Sequence, residues 1–220
     1  MAERIRLVCF GGVCSNHHAL AATLGGSRRS AVDHVWCLGD LGGFGPHPDR
    51  AIEMLRAAQV PTLRGNMDDS VGHERDDCAL RLHRSARSAL RPALVRLHAR
   101  AHPSRASRLD ARTARSSSGW IWGTPRPALP RLAAPRERDS CGNRPAPQAF
   151  LEWLCDAPRR GRCSSARHTG LPWHRALSRG RHVVNAGVIG RPANDGDPAV
   201  RYALLTLDGD VGVEVRPRSL

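Results

Sequence analysis

Two short apolar runs near the start of the chain each lead into a glycine-rich turn. The first, RIRLVCF, covers Arg4 to Phe10, and the second, HVWCLGD, covers His34 to Asp40. This pattern predicts two buried strands. Between the runs, NHHALAATL (Asn16 to Leu24) has helical spacing, and DRAIEMLRAAQV after Pro48 predicts a second helix.

Further apolar runs predict additional strands and a helix after these elements. VPTLRGN (Val60 to Asn66) predicts a third strand, which completes a β-α-β-α-β order typical of helices on a largely parallel sheet. Late in the chain we expect an amphipathic helix over Gln148 to Asp156 and a strand over His182 to Gly190. Residues Arg201 to Val215 alternate on both sides of Asp-Gly, which predicts a β-hairpin. The class predicted is α/β, with residues 1–220 forming one domain.

The middle of the chain, residues 79–147, has neither a helical nor a strand period. It holds 15 Arg against Asp110, Glu137 and Asp139, so it carries +12 of the chain's net +14. This composition predicts disorder. It also raises nucleic-acid binding as an alternative function, although Trp120 and Trp122 are the only Phe, Tyr or Trp side chains available for stacking. All 34 basic residues are Arg, whereas surfaces selected for phosphate contact normally mix Arg with Lys.

The seven cysteines include no CxxC pair, and the first residues lack the charged and apolar regions of a signal peptide. No apolar stretch approaches the length of a bilayer-spanning helix. We therefore expect a reduced, cytoplasmic protein without a membrane partner.

Polar side chains follow the second and third predicted strands. Asp40 lies directly before LGGFGPHP, and Asn66 and Asp68 lie in RGNMDD, where carboxylate and amide oxygens could hold a hard cation. His168, in RHTGLPWH, adds an imidazole late in the chain. Taken singly, Asp40 fits a turn cap equally well, and His168 fits a structural histidine better than a ligand.

Together these segments resemble the calcineurin-like metallophosphoesterases, in particular the small bacterial phosphodiesterase and diadenosine-tetraphosphatase-like branch. Residues 37–69 resemble the family's GD…GN(H)D core. HTGLPWH and VVNAGVIGRPANDGD resemble its GHTH and NPGSVGxPRxGD motifs. The resemblance covers about Arg4 to Cys78 and Gln148 to Val215, and residues 79–147 lie outside it.

The resemblance implies a four-layer αββα sandwich that hydrolyses a small phosphoester or nucleotide with two divalent metals, Mn or Mg. It implies metal ligands at Asp40, Asn66 and His168. It further implies phosphate contacts at Gly42, Gly43, Gly187 and Arg191.

Four positions depart from the family pattern. Gly12 and Cys14 stand where the family has the Asp and His of its first motif, Met67 replaces a histidine that assists the transition state, and Gly170 replaces the second His of GHTH. Because none of these residues supplies the missing oxygen or imidazole, we expect weak or absent hydrolysis. The alternative is a non-catalytic member of the fold that binds a nucleotide or phosphate.

A shift of reading frame explains the middle segment. When PALPRLAAPRER (Pro127 to Arg138) is back-translated with degenerate codons and read one nucleotide later, it permits Leu-Leu-Cys-His-Gly-Ser-Pro-Arg-Arg-Val-Asn, which contains a further family motif. The same shift over GRCSS (Gly161 to Ser165) permits an apolar strand. A genuine basic arm or solvated linker is the alternative.

We expect limited trypsin digestion to cut first within residues 79–147, because this segment is rich in Arg and lacks a periodic apolar pattern. Mass spectrometry of the first fragments checks this. Early cleavage elsewhere, with this segment left intact, would contradict the prediction of disorder.

Overall fold

The structure, a computed structural model, describes residues 4–68, 148, 163–166, 170–191, 196–208 and 210–219. Its elements, in chain order, are β1 (Ile5–Phe10), α1 (His17–Arg29), β2 (His34–Cys37), α2 (Pro48–Ala57), β3 (Cys163–Ala166), β4 (Trp173–Leu177), a 3-10 turn (Ser178–Gly180), β5 (Arg181–Asn185), β6 (Val200–Leu207) and β7 (Val211–Arg218).

These strands form two mixed sheets. The first has the order β2-β1-β6-β7, with β1 parallel to β2 and the other two pairs antiparallel. The second has the order β3-β5-β4, with β3 parallel and β4 antiparallel to β5. The N-terminal segment is parallel as expected, since β1 pairs with β2 and Cys37 with Thr62 in parallel, whereas strands from later in the chain make the described sheets mixed. The short turn between β6 and β7 can join only antiparallel strands, and this hairpin supplies half of the first sheet.

The two faces of β1 pack into different layers because side chains alternate along a strand. Val8 and Phe10 pack in a buried cluster with residues of α1 and α2, including Leu20 and Ile52. On the other face, Leu7 and Cys9 belong to a second buried cluster, which also contains Val184 of β5. The described residues thus form a helical layer against two sheets, and the predicted α/β class is confirmed.

Most of the predicted elements are confirmed. Both N-terminal strands and both N-terminal helices lie where the pattern places them, and the Asp-Gly hairpin forms as β6 and β7. Asn16 begins α1 as its N-cap, since its Oδ1 accepts a hydrogen bond of 3.0 Å from Ala19 N. The predicted strand over His182 to Gly190 ends at Asn185, and residues 186–188 form a loop.

Some expectations need correction, and others concern residues outside those that the structure describes. The third predicted strand is reduced to a single parallel bridge between Cys37 and Thr62, because the chain turns away at Gly65. β3 forms in the chain as written, although a strand here was expected only from the shifted frame. β4 was not predicted. The disorder and frame shift proposed for residues 79–147, and all but the first residue of the predicted helix over 148–156, fall outside the described residues.

Among the described residues, neither α1, α2 nor any other helix has the length and apolar character needed to cross a membrane.

The buried carboxylate of Asp68 ties the turn after β2 to the turn that follows Thr62. Its Oδ2 accepts hydrogen bonds from Asp40 N and Gly65 N, both at 2.8 Å, and its Oδ1 accepts one of 2.7 Å from Leu41 N. The turns approach so closely that a Cβ at Gly39, where φ is +91°, would lie 2.6 Å from Gly65 N. Glycine at position 39 is therefore required by both space and backbone conformation.

We expect Asp68→Ala to lower the free energy of unfolding by about 3 kcal/mol or more, because it leaves several buried N–H groups without an acceptor. Urea denaturation followed by circular dichroism measures the change. The matched control is Asp33→Ala, since exposed Asp33 accepts one backbone N–H, that of Arg6, at 2.7 Å. Equal losses in the two variants would contradict the role given to Asp68.

Candidate functional site

Three loops meet beyond the carboxyl ends of β1, β2 and β5. Gly12 N donates to Gly39 O at 2.8 Å, Cys14 N donates to Asp40 O at 3.0 Å, and Gly190 N donates to Gly12 O at 2.9 Å. These backbone bonds hold the loops in a fixed relation to one another. The carboxyl ends of strands are where α/β proteins place their ligand sites.

The structure brings two of the predicted metal ligands, Asp40 and Asn66, onto adjacent turns. Asp40 is half-buried, and its Oδ1 accepts a hydrogen bond of 3.1 Å from Met67 N, the residue after Asn66. Asp40 has φ of +54°, a conformation that Asp tolerates better than most residues. Asn66 is half-buried and begins a helical turn. His168 lies outside the described residues.

Asp68, the other oxygen donor considered for a cation, serves the backbone. Both of its carboxylate oxygens accept backbone N–H groups, and the residue is 1 % exposed. Asp68 therefore positions the turn that carries Asp40.

The place of the family's first acidic ligand is occupied by another side chain. Gly12 has φ of +59°, and a Cβ added there would lie 2.6 Å from Cγ1 of Val188 in the loop after β5. An aspartate at position 12 would therefore collide with Val188. Cys14, two residues on, is buried with φ of +50°.

Met67 and Gly170, the other two departures, differ in their surroundings. Met67 is buried, and its Cε lies 3.0 Å from where a Cβ of Gly43 would be, so the thioether packs onto the glycine-rich loop. A Cβ at Gly170 would meet nothing within 4 Å among the described residues. Its φ of +80° nevertheless disfavours the histidine that the family pattern has there.

The predicted phosphate contacts divide into two groups. Gly42, Gly43 and Gly187 are buried, and Gly187 N already donates to Asn185 Oδ1 at 2.9 Å. Arg191 is exposed, and its guanidinium carbon lies 4.1 Å from the ring centroid of the exposed Phe44. This cation–π contact joins the loop after β5 to the loop after β2 and leaves a cation at the rim of the site.

The donor set does not fit the two-metal centre of the family. Within the described part of the chain, no group of three or more His, Cys, Asp or Glu side chains is arranged to hold a metal ion. Asp40 and Asn66 offer a carboxylate and an amide oxygen, which is the chemistry that Mg²⁺ and Mn²⁺ prefer. They are too few for two ions.

Sequence reasoning missed a cluster of histidines beside these loops. The ring centroids of His17 and His18 are 4.0 Å apart, and those of His17 and His47 are 5.0 Å apart. Partial burial and the neighbouring His18, His47 and Arg50 lower the pKa of His17 below its usual value. The signals were the adjacent histidines in NHHAL and the histidine in GPHP, but only the fold brings these segments together.

A shallow cavity of about 340 Å³ lies at the amino-terminal end of β2, where its lining includes His34, Trp36 and Gln59. It shares no lining residue with the three loops. Its position at the other end of the strand separates it from Asp40.

Sequence comparison finds one short likeness. A stretch of 57 residues is 33% identical to an uncharacterized protein of Methanocaldococcus jannaschii, and it covers 26% of this chain and 24% of that protein. The chain thus matches about a quarter of the length of this curated relative. No family model matches the chain.

Solved structures resemble the chain along nearly all of its length. A metallophosphoesterase from Sphaerobacter thermophilus has a TM-score of 0.62 at 20% identity, covering 98% of this chain and 88% of its own. A hypothetical protein from Pyrococcus horikoshii has a TM-score of 0.65 at 14% identity, with coverage of 98% and 88%. A putative diadenosine tetraphosphatase has a TM-score of 0.54 at 13% identity, with coverage of 96% and 93%. At such identities the likeness establishes the fold, and this chain has the fold of the calcineurin-like metallophosphoesterases.

Proposed function

We propose that the chain is a metallophosphoesterase-family protein that binds a small phosphoester or nucleotide and hydrolyses it weakly or not at all. The observation that carries this proposal is that Val188 fills the space beside Gly12, where the family pattern has an aspartate. The loops that would hold the ligand are in place, but Val188 occupies the room that an acidic ligand at position 12 would need.

The ligand-binding part of the proposal rests on the arrangement of the loops. Asp40 and Asn66 lie on turns joined through Met67 N and the Asp68 carboxylate, so the two turns and the Asp40 carboxylate are held by bonds within the chain. Arg191 supplies a planar cation at the rim, and a guanidinium is well suited to bind phosphate oxygens. Arg191 and the Asn66 amide can contact a phosphate group directly, whereas the Asp40 carboxylate would act on it through a bound cation.

The weak hydrolysis follows from the residues that are missing. Asp40 and Asn66 together could help to hold a single Mn²⁺ or Mg²⁺, whereas the family's chemistry uses two ions. Met67 can neither donate nor accept a proton at the position where the family has a histidine. The described residues therefore support binding better than proton transfer.

The solved structures support the substrate class. One of them is a metallophosphoesterase and another a putative diadenosine tetraphosphatase. We carry the phosphoester and nucleotide class of these proteins to this chain as part of the proposal. The cytoplasmic location stays a prediction from the sequence, and nucleic-acid binding through residues 79–147 stays an alternative function.

We expect turnover of p-nitrophenyl phosphoesters with Mn²⁺ to remain within about tenfold of the EDTA background, since loss of one acid–base group alone costs about 10²–10⁴-fold in rate. The measurement is release of p-nitrophenol by the full chain and by its Asp40→Ala and Glu53→Ala variants. Glu53 is an exposed carboxylate on α2 and serves as the control. Robust Mn²⁺-dependent turnover that is lost in Asp40→Ala and kept in Glu53→Ala would overturn the proposal of weak hydrolysis.

A second prediction tests directly whether Val188 fills the space beside Gly12. Gly12→Asp should lower the free energy of unfolding by about 2–4 kcal/mol, through the collision with Val188 and the left-handed backbone conformation. Combining it with Val188→Ala should recover part of this loss, and a double-mutant cycle measured by urea denaturation gives the coupling. Strictly additive effects would show that Val188 does not occupy the position.

A further inference from the structure

A cluster of three histidines lies where α1 and α2 both begin. His17 and His18 are the first two residues of α1, and His47 is the N-cap of α2. The ring of His17 lies between the other two, tilted by 39° to His18 and nearly perpendicular to His47 at 79°. We call these three residues the histidine cluster.

The two segments that carry the histidine cluster are in direct contact. His47 N donates to Ser15 O at 3.4 Å, and Gly45 N donates to Cys14 O at 2.9 Å. Asn16, between Ser15 and the cluster, caps α1 and also donates through Nδ2 to Gly190 O at 3.3 Å. The cluster is thus mounted on backbone that several hydrogen bonds hold in place.

The electrostatic surroundings of the histidine cluster favour an anion. The groups that act on His17 are His18, His47 and Arg50, and each of them disfavours a further positive charge. α1 has no acidic residue in its first turn, and Asp49 is the acidic residue in the first turn of α2. Histidinium at a helix N-terminus also opposes the helix dipole. An anion bound among these rings would offset the repulsion between positive charges and the unfavourable interaction with the helix dipole.

A second observation at this place is an unsatisfied hydroxyl. Ser15 is fully buried, and its Oγ has no hydrogen-bond partner among the described residues. Its φ of +60° is strained for serine. Buried hydroxyl groups are nearly always hydrogen-bonded, so this one, in the segment that leads into α1, calls for a polar partner that the described residues do not supply.

We propose that the histidine cluster and Arg50 form an anion site that binds a phosphate group. Imidazolium and guanidinium groups give charge-assisted hydrogen bonds to phosphate oxygens, and the starts of two helices add favourable dipoles. Within the described residues, these histidines do not form part of a group of three or more side chains that could hold a metal ion. The site uses neither Asp40 nor Asn66 and goes beyond the proposed function, since it needs no divalent ion.

The test is a titration of the uniformly ¹⁵N-labelled full chain with sodium phosphate, and separately with AMP, in EDTA at pH 6.0. Long-range ¹H–¹⁵N spectra report the ring nitrogens, and sodium chloride of equal ionic strength is the reference. We expect saturable shifts at His17, His18 and His47, little response at His34, and weaker binding at pH 8.0 than at pH 6.0. Saturation by either ligand supports the site, and the ligand that saturates at lower concentration identifies its source.

Two variants complete the test. His18→Gln, at an exposed position, should weaken phosphate binding about tenfold, as expected for the loss of one charge-assisted hydrogen bond. His34→Gln removes an imidazole at the other end of β2 and should leave binding unchanged. The proposal is overturned if the shifts do not saturate with either ligand, if chloride reproduces them, or if both variants bind as the unaltered chain does.

Discussion

The carboxylate of Asp68 holds the site together. It accepts N–H groups from Asp40, Leu41 and Gly65, so that one buried side chain joins the turn after β2 to the turn that carries Asn66. Hydrogen bonds from backbone N–H groups to a carboxylate are short and strong compared with neutral ones. Without this tie, the positive φ of Asp40 and the close approach at Gly39 would both lack their compensating contacts. The geometry of the candidate site is therefore a property of the turns and not of a bound ligand.

The turns that Asp68 joins are held within the chain, but several residues of the site differ from the family pattern. Asp40 and Asn66 lie on adjacent turns, while Val188 packs into the space beside Gly12 and Met67 packs onto Gly43. Both are apolar contacts at positions where the family pattern that the sequence resembles has polar side chains. Such contacts stabilise the loops but supply neither charge nor a proton-transfer group. The proposal of binding with weak or absent hydrolysis follows from this contrast.

Arginine and histidine side chains lie around the loops of the site. Arg191 lies over Phe44, and the histidine cluster with Arg50 lies where the two helices begin. Arg191 comes from the loop after β5 and the other residues from the starts of α1 and α2, and backbone hydrogen bonds from Gly190 to Gly12 and from His47 to Ser15 join these segments. A side chain that already holds its position loses little conformational entropy when it binds an anion, which favours the binding of phosphate.

The sequence by itself determined the strands β1, β2, β6 and β7 and the helices α1 and α2, because apolar period, the Asn16 cap and the Asp-Gly turn are local signals. It also indicated Asp40 and Asn66 as candidate ligands, and the structure places them on adjacent turns although the segment before Asn66 forms only a single bridge. Only the tertiary structure decided that Asp68 serves the backbone, that Val188 fills the place of an acidic ligand, and that His47 joins His17. The physical reason is the same in each case: these contacts join segments far apart in the chain, and no local pattern encodes which side chain reaches a shared space.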